Sequence, residues 1–276
     1  MPPPTTAIRG SLFPSVVFIP APQQFLYSVR NLPYSVRKEA AYGSAVSLIW
    51  ERPEPRGRTI APTDRGRIVA AAAALADADG LSGLSMRKVA AELRVSPMRL
   101  YGYVATKDEL LDLMADSVYG EIAAALGDRA EWEEALRAIA VATRDRALRH
   151  EWFVELIGGR PHLGPNALTV MEATASALAR ALGPGGGDRL MAALGVFNAY
   201  LIGAVRNEVT ERRLSRETGA DETQWQASVG PYISRQLATG RYPTMERVLA
   251  AMPEGDPAET FASEVAIIIR GVTRTE

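Results

Sequence analysis

The residue types that perform most enzymatic and metal chemistry are scarce in this chain of 276 residues. It contains no cysteine and only two histidines, His150 and His162, so a zinc site would depend almost entirely on carboxylates, and no HExxH spacing is present. No serine lies in a GxSxG sequence, and no His-Asp pair stands near a serine. We therefore predict a protein that is not an enzyme and that holds neither a metal ion nor a cofactor.

The glycine-rich stretch from Gly183 to Asp188 has the composition of a phosphate-binding loop but lacks its chemistry. The Gly-Lys-Ser/Thr ending that places a lysine and a hydroxyl near the phosphates is missing, and helices are predicted on both sides. The stretch is therefore predicted to be a connector between helices.

Charge divides the chain in a way that the net value of −1 conceals. Residues 56–110 carry nine Lys/Arg against six Asp/Glu, and residues 1–55 carry five against three. Positions 111–276 carry 17 basic and 23 acidic residues. A basic front and an acidic body predict that the two parts have different partners.

The beginning of the chain lacks the pattern of a folded domain, because many prolines interrupt any helix or central strand. The uncharged run Gly10–Val29 follows Arg9 as in a secretory signal, but its prolines interrupt it and no clean cleavage site follows. We predict a flexible extension over 1–58 and a cytoplasmic protein with no membrane contact. Residues 1–35 are either a disordered tail or precede the true start, for which Val36 is one alternative.

From Thr63 onward, apolar residues recur at helical spacing between Gly, Ser and Pro clusters, and no strand pattern competes. The first helix is predicted to stop at Asp79-Gly80, where glycine can end it. The pattern predicts an all-α fold. The long helices are expected at 63–79, 107–126, 131–150, 165–182, 188–216, 222–239, 243–252 and 257–272.

Two short helices are predicted between residues 84 and 104. Ser85 can cap the first, and Ser96-Pro97 restarts the chain with a capping serine and a proline at the first helical position. Such a pair, joined by three or four residues, forms a helix-turn-helix whose second helix reads DNA. In that helix the side chains expected to face inward are Leu100, Tyr101 and Val104, and those expected to be exposed are Met98, Arg99, Gly102 and Tyr103.

The next long helix opens with Thr106 and Glu109, which have the spacing of a capping box. This helix is predicted to join the short helices to the rest of the chain.

The stretch LSMRKVAAELRVSPMRLYGYVATKDELLDLM resembles the signature of the TetR family of transcriptional regulators over its whole length. In that family the recognition helix carries a Leu-Tyr pair, an aromatic residue two positions later and a lysine that opens the next helix. Leu100-Tyr101, Tyr103 and Lys107 occupy those places. The resemblance is strong over 60–122, and the remainder is similar in helix number and length to the tetracycline-repressor-like C-terminal domain.

This resemblance implies a three-helix DNA-binding domain at 59–106 and a helical-bundle domain for ligand binding and dimerisation at 107–276. It also implies the side chains that touch DNA. They are Arg87, Pro97, Met98, Arg99, Tyr101, Tyr103 and Lys107.

Within this set the implied roles differ. Arg99 alone among the base-facing positions has paired donors suited to guanine O6 and N7, whereas Lys107 would contact a phosphate. Arg87 would contact a phosphate or a base edge, and the two tyrosines the backbone or thymine methyl groups. Gly102 stands where many relatives carry a large side chain, so fewer contacts are expected there.

Four arginines precede or open the first helix in a Pro/Gly context, and they form either a basic arm on the DNA or a solvated charge run. They are Arg56, Arg58, Arg65 and Arg67.

Helix 188–216 presents a stripe of large apolar residues beside a stripe of small ones, and the C-terminal helix adds a further apolar stripe. In the family, two such helices from each subunit form a four-helix dimer interface, and an isologous homodimer suits palindromic double-stranded operator DNA. Ordinary intramolecular core is the alternative, and both can hold in part. The expected interface residues are Ala199, Gly203, Val265 and Ile268.

A group of aromatic and polar side chains stands out in a domain otherwise filled by Ala and Leu, and that mixture is typical of ligand pockets. Plain core or capping roles are the alternative. Nothing here matches the tetracycline–magnesium site residue by residue, so no ligand identity follows. The group comprises His150, Trp152, Phe153, His162, Asn166, Phe197, Asn198 and Tyr200.

The function that these patterns and the resemblance predict is a repressor that a small-molecule effector releases from a palindromic operator. Two alternatives stay open at the level of the sequence. One is an activator or a ligand-independent regulator, and the other is a helical module that does not bind DNA.

Overall fold

The computed structural model describes residues 48–55, 63–127, 131–159, 161–185, 187–220, 222–251 and 256–274. The predictions for Gly10–Val29, Val36, Arg56 and Arg58 lie outside these residues. Within the described ranges the chain is helical and forms no strand, so the all-α prediction is confirmed.

Three helices form the N-terminal domain around a small apolar core. Ile68, Val89, Leu100 and Val104 are fully buried in it. Gly80, at φ 69°, interrupts the first helix where the pattern predicted its end, because glycine enters left-handed conformations without steric cost. The helices are α1 (Arg65–Gly83), α2 (Met86–Glu92) and α3 (Pro97–Tyr101).

The turn between α2 and α3 is tight. Arg94 has a φ of 55°, and the Val95 N–H donates to the Ala90 carbonyl at 2.9 Å. Ser85 caps α2 by accepting from a backbone N–H, as predicted. Ser96 occupies the cap of α3 but makes no side-chain cap bond, so proline at the next position provides the start signal.

The linking helix α4 (Lys107–Leu126) packs on α1 and on the helices that follow it. Thr106 accepts from the Glu109 N–H at 3.1 Å, and the Glu109 carboxylate accepts from the Ala105 N–H at 2.7 Å. The predicted capping box therefore forms, with its return bond one residue earlier than usual.

A helical bundle forms the C-terminal domain, with α5 in contact with α4, α7, α8 and α11. Its largest fully buried side chains include Phe153 and Phe197. The short helix after α5 is not among the predicted elements. The bundle helices are α5 (Trp132–Arg149), α6 (Phe153–Leu156), α7 (Pro165–Leu182), α8 (Gly187–Thr218) and α11 (Pro257–Thr273).

The start of α7 is held by a carboxylate from the linking helix. Asp116 is buried and accepts from the Ala167 N–H at 2.9 Å. A Cβ on Gly164 would lie 2.2 Å from the Asp116 Oδ1, so this approach requires glycine. Asp116 thus joins α4 to α7 by satisfying backbone donors that a helix start leaves unpaired.

Helices α9 (Glu222–Leu237) and α10 (Pro243–Ala250) pack against each other, and none of residues 223–251 is buried. Large apolar side chains on this pair, Trp225 and Tyr232 among them, are more than half exposed. The pair therefore offers apolar surface that the rest of the described chain does not cover.

Residues 48–55 correct the prediction that 1–58 is a flexible extension. Ile49 is only 3% exposed, and Arg52 forms a two-pronged ion pair with Glu109, at 3.1 and 2.6 Å. Arg52 and Glu109 are 57 positions apart, and no local sequence pattern predicts their pairing. The segment contacts α1 and the start of α4.

Candidate nucleic-acid interface and effector site

Around α3, Met98 is exposed as predicted, but the two tyrosines are not oriented as predicted. Met98 is 79% exposed and Tyr101 is 47% exposed, whereas Tyr103 is buried. The expected orientations of the two tyrosines are therefore wrong. α3 ends at Tyr101, and the turn that follows directs Tyr103 into the core, whereas the prediction continued the helix through residue 104.

The other predicted contact residues lie on the same domain. Arg87 at the start of α2 is exposed, as is Pro97 at the start of α3, and Arg99 is half-buried. Together with Met98 and Tyr101 they give the helix-turn-helix a surface of cations, one phenol and apolar groups.

Lys107 has a structural role that its sequence position does not reveal. Its ammonium donates to the carbonyls of Leu84 at 2.9 Å and Leu81 at 3.3 Å, after the break in α1. Lys107 therefore fixes the start of α4 against the end of α1. A phosphate contact from this residue stays a prediction.

Arg65 does not belong to a basic arm, which corrects that part of the prediction. Its Nε donates to the Tyr103 carbonyl at 3.2 Å, and its Nη1 donates to the Arg52 carbonyl at 2.8 Å. Arg65 connects the N-terminal segment to the end of the helix-turn-helix. Arg67, two residues later on the same helix, is exposed.

The residues predicted to line one ligand pocket divide into separate groups. His150 and Trp152 contact Asp77 of α1, so they lie at the junction of the two domains. The Tyr200 hydroxyl donates to Glu264 of α11 at 2.9 Å. A single pocket formed by the whole predicted set is therefore wrong, because these side chains face different neighbours.

One part of the set does come together between α4, α6 and α7. The Tyr119 ring makes an edge contact with Phe153, with centroids 5.3 Å apart, and lies 6.0 Å from the His162 ring. Asn166 donates to Asp116 at 3.0 Å nearby on the same helix pair. Sequence reasoning missed Tyr119, which has a helical apolar pattern and no other mark.

The cluster around Tyr119 contains a few polar groups among apolar side chains. Burial, with a smaller contribution from the Asp116 charge, raises the pKa of Tyr119 to about 12. His162 Nε2 lies 3.0 Å from the Leu156 carbonyl. A neutral phenol and an imidazole beside a buried phenylalanine suit an aromatic ligand with a few polar groups.

The α8 and α11 helices together form an apolar groove of about 440 Å³ on the outer surface. Its walls include Val196, which is 50% exposed, and Ile267, which is 59% exposed, with Ile268 beside them. Among the predicted interface residues, Ala199 is exposed and Gly203 and Ile268 are half-buried.

Val265 corrects the predicted interface, because it is only 2% exposed inside one chain. The buried stripe of α11 runs through Phe261, Val265 and Ile269. That stripe advances by four residues at each step, so Ile268 falls on its edge and Ile267 points outward.

Two family models match the chain on either side of the linking helix. The model for "Bacterial regulatory proteins, tetR family" matches residues 68–114, and the model for "Tetracyclin repressor-like, C-terminal domain" matches residues 126–275. The chain belongs to the TetR family. This TetR-family protein is a DNA-binding transcriptional regulator, as the resemblance implied.

Relatives of known type agree with this assignment. The TetR-family chain is 41% identical over 204 residues to the HTH-type transcriptional repressor DrrR1 of Streptomyces coeruleorubidus, covering 72% of this chain and 74% of the relative. It is 39% identical over 171 residues to an HTH-type transcriptional regulator of Saccharopolyspora erythraea, covering 62% and 72%.

Among solved structures, apo ActR from Streptomyces coelicolor has a TM-score of 0.65 and 25% identity, covering 78% of this TetR-family chain and 97% of ActR. ActR in complex with actinorhodin has a TM-score of 0.62 and 26% identity, covering 77% and 97%.

Proposed function

We propose that this protein is a homodimeric repressor that binds a palindromic operator in the cytoplasm and leaves it when a small ligand binds the C-terminal domain. The observation that carries the proposal is the position of α4. Its first turn is bonded to the end of α1 through Lys107, and its later part carries Tyr119 and Asp116, which contact α6 and α7. A ligand at those contacts acts directly on the helix that holds the DNA-binding domain.

The proposed DNA surface consists of the exposed side chains around α3, with Arg99 as the reader of a guanine. Arg87 and Lys107 supply positive charge for the phosphates, and Tyr101 replaces the buried Tyr103 as the aromatic contact. A recognition helix enters the major groove, where paired guanidinium donors match guanine O6 and N7.

The proposed effector site is the cluster around Tyr119, Phe153, His162 and Asn166. DrrR1 is described as a repressor, and ActR binds actinorhodin, which supports a small-molecule effector for this chain. The class of ligand that fits is a compound with an aromatic ring and a few polar groups, because the Phe153 ring, the Tyr119 phenol and the His162 imidazole lie together there.

The proposed homodimer rests on uncovered apolar surface. Helix α8 is long and apolar enough to cross a membrane by length and composition, yet only 22% of its most apolar 18-residue stretch is buried. A second copy would cover the groove between α8 and α11, and the exposed apolar surface of α9 and α10 offers further contact area. A four-helix interface of this kind places two reading helices in successive major grooves.

Footprinting on DNA beside the gene, with and without candidate ligands, tests the proposal. We expect protection of a two-fold symmetric site whose affinity falls steeply with salt, because phosphate contacts release counterions. Ligands would first be selected by their ability to raise the melting temperature. Protection that no stabilising ligand removes would refute the release mechanism, and absence of protection would refute operator binding.

A further inference from the structure

Asp77 on α1 accepts hydrogen bonds from the C-terminal domain. The Trp152 indole Nε1 donates to Asp77 Oδ1 at 2.6 Å. His150 Nδ1 lies 2.8 Å from the same oxygen and 3.1 Å from Oδ2. The partners are 73 and 75 residues away in the sequence, on the link that follows α5.

The groups that meet at Asp77 are buried. Trp152 is 1% exposed and His150 is 6% exposed. The second imidazole nitrogen, Nε2, lies 3.3 Å from a Glu121 oxygen of α4. One imidazole therefore stands between carboxylates from α1 and from the linking helix.

Glu121 is held in turn by the end of α5, since Arg146 lies 3.1 Å and Arg149 lies 3.6 Å from its Oε2. Asp77 itself is on the wall of a polar cleft of about 450 Å³ between α1, the end of α5 and α8. The network thus joins α1, α4 and α5 beside an open cleft.

These hydrogen bonds restrict the angle between the two domains. Apolar packing between helices tolerates small rotations, but a hydrogen bond weakens steeply as its distance and angle depart from ideal values. If α1 turned relative to the body, the buried indole N–H would lose its acceptor, and an unpaired buried donor is costly. The bonds to Asp77 therefore favour one angle between the domains.

We propose that Asp77, with His150 and Trp152, is a positioning site that sets the angle of the DNA-binding domain on the body. These residues lie outside the proposed DNA surface and the proposed effector site. They select the arrangement in which both helix-turn-helix units fit the operator. This inference rests on operator binding, and its structural part can be measured without DNA.

The chain offers a matched control two residues away. Asp79 is on the same helix end, but its partner is Lys88 of the same domain, at 3.1 Å, and both side chains are about half exposed. Asp77→Asn and Asp79→Asn make the same chemical change, because each removes the negative charge and turns one acceptor oxygen into a donor NH2 group. Only the first does so at a contact between domains. Trp152→Phe is the second test variant, because it keeps an aromatic core side chain and removes the indole N–H.

The experiment measures the angle as a distance distribution in the free protein. Because the chain has no cysteine, spin labels can be placed on Ala91→Cys in α2 and Ala179→Cys in α7, both exposed positions. Labelled chains are diluted with unlabelled ones and examined by pulsed electron resonance. Melting curves establish that each variant is folded, and binding to the footprinted operator is measured in parallel.

We expect a broadened or displaced distribution for Asp77→Asn and Trp152→Phe, and the unmodified distribution for Asp79→Asn. Operator affinity should fall about fivefold or more in the first two, the lower end of ordinary coupling between sites. Unchanged distributions and unchanged affinity in folded Asp77→Asn and Trp152→Phe proteins would overturn the proposal. Binding of the unmodified chain to the operator is measured separately. A failure of the proposed function is therefore distinguishable from a failure of this inference.

Discussion

Glu109, at the start of the linking helix, shows how one side chain holds together segments that are distant in the sequence. Its carboxylate completes the cap of α4 through the Ala105 N–H and pairs with both terminal nitrogens of Arg52. Burial opposes its charge, but the Arg52 and Ala105 bonds outweigh burial, so the pKa of Glu109 is lowered. The start of the linking helix is thus tied to a segment that precedes α1.

Replacement of Glu109 by Gln should destabilise the protein at neutral pH by about 1 kcal/mol, the scale of a partly buried charged hydrogen bond. Because the folded pKa is lowered, the carboxylate stabilises the fold above its ordinary value of 4.5, and that contribution is lost as pH falls through the lower folded value. Urea unfolding of both proteins from pH 7 to pH 3 measures this. The difference should shrink on acidification, whereas exposed Glu92→Gln should show almost no difference at any pH. A difference in the free energy of unfolding that grows as the pH falls would contradict the assignment.

Arg99 is the residue on which sequence preference is predicted to depend. Arg99→Ala should cost about 1–3 kcal/mol at one base pair and relax the preference there. Binding-site selection with a randomised operator measures this. Lys107→Ala is the comparison: it should weaken all sequences alike, and it should also lower stability because it frees two carbonyls at the end of α1. An unaltered base profile in Arg99→Ala would show that another side chain reads this position.

At the scale of elements, α8 and α11 each have one apolar face in the bundle core and further apolar side chains on the surface. The inward stripe of α8 advances by four residues, through Ala193, Phe197 and Leu201, and fills the bundle core. Beside that stripe, Val196 is half exposed and lines the groove together with Ile267 of α11. A helix that is apolar on both sides needs a second partner, so dimerisation is expected at this groove.

Ile267→Asp should dissociate the proposed dimer, because it places a charge in an interface that offers it no partner. Since Ile267 is exposed in the single chain, the fold itself should survive, and light scattering should report the monomer mass with operator affinity greatly reduced. Leu168→Asp on α7 is the control, an equally apolar and 46% exposed side chain outside the groove. A dimer of unchanged mass in Ile267→Asp would place the interface elsewhere.

At the scale of the whole molecule, the proposed coupling between ligand and DNA runs through α4, which reaches both proposed sites. An effector can shift DNA binding only by its differential affinity for two arrangements, and coupling of this kind usually changes affinity about 5- to 150-fold. Tyr119 lies where this coupling would begin, in contact with α6 through Phe153.

Tyr119→Phe and Tyr200→Phe form a matched pair that tests the effector site. For a phenolic or aromatic compound that stabilises the unmodified protein, Tyr119→Phe should weaken the melting-temperature shift and the loss of operator binding together. Tyr200→Phe should leave both intact, because its hydroxyl bonds Glu264 on α11. Isothermal titration with ligand and then with DNA gives both affinities. Equal effects of the two substitutions would remove the Tyr119 cluster from the effector site.

The sequence by itself determined the long helices, two of their caps and the helix-turn-helix, because these depend on residues within about four positions of one another. Ser85, Thr106 and the break at Gly80 act where the local pattern placed them. The match to the family signature also identified the class of protein, since it too is a local string of residues.

Only the tertiary structure decided which groups each side chain meets across long separations. Arg52 pairs with Glu109, and Asp77 meets His150 and Trp152, at separations of 57 to 75 residues. Neither pair has a periodic or composition signal, because the partners become neighbours only when helices pack. For the same reason two residues predicted to bind a ligand are found joining the domains: a buried polar side chain is satisfied by whichever partner the fold brings to it.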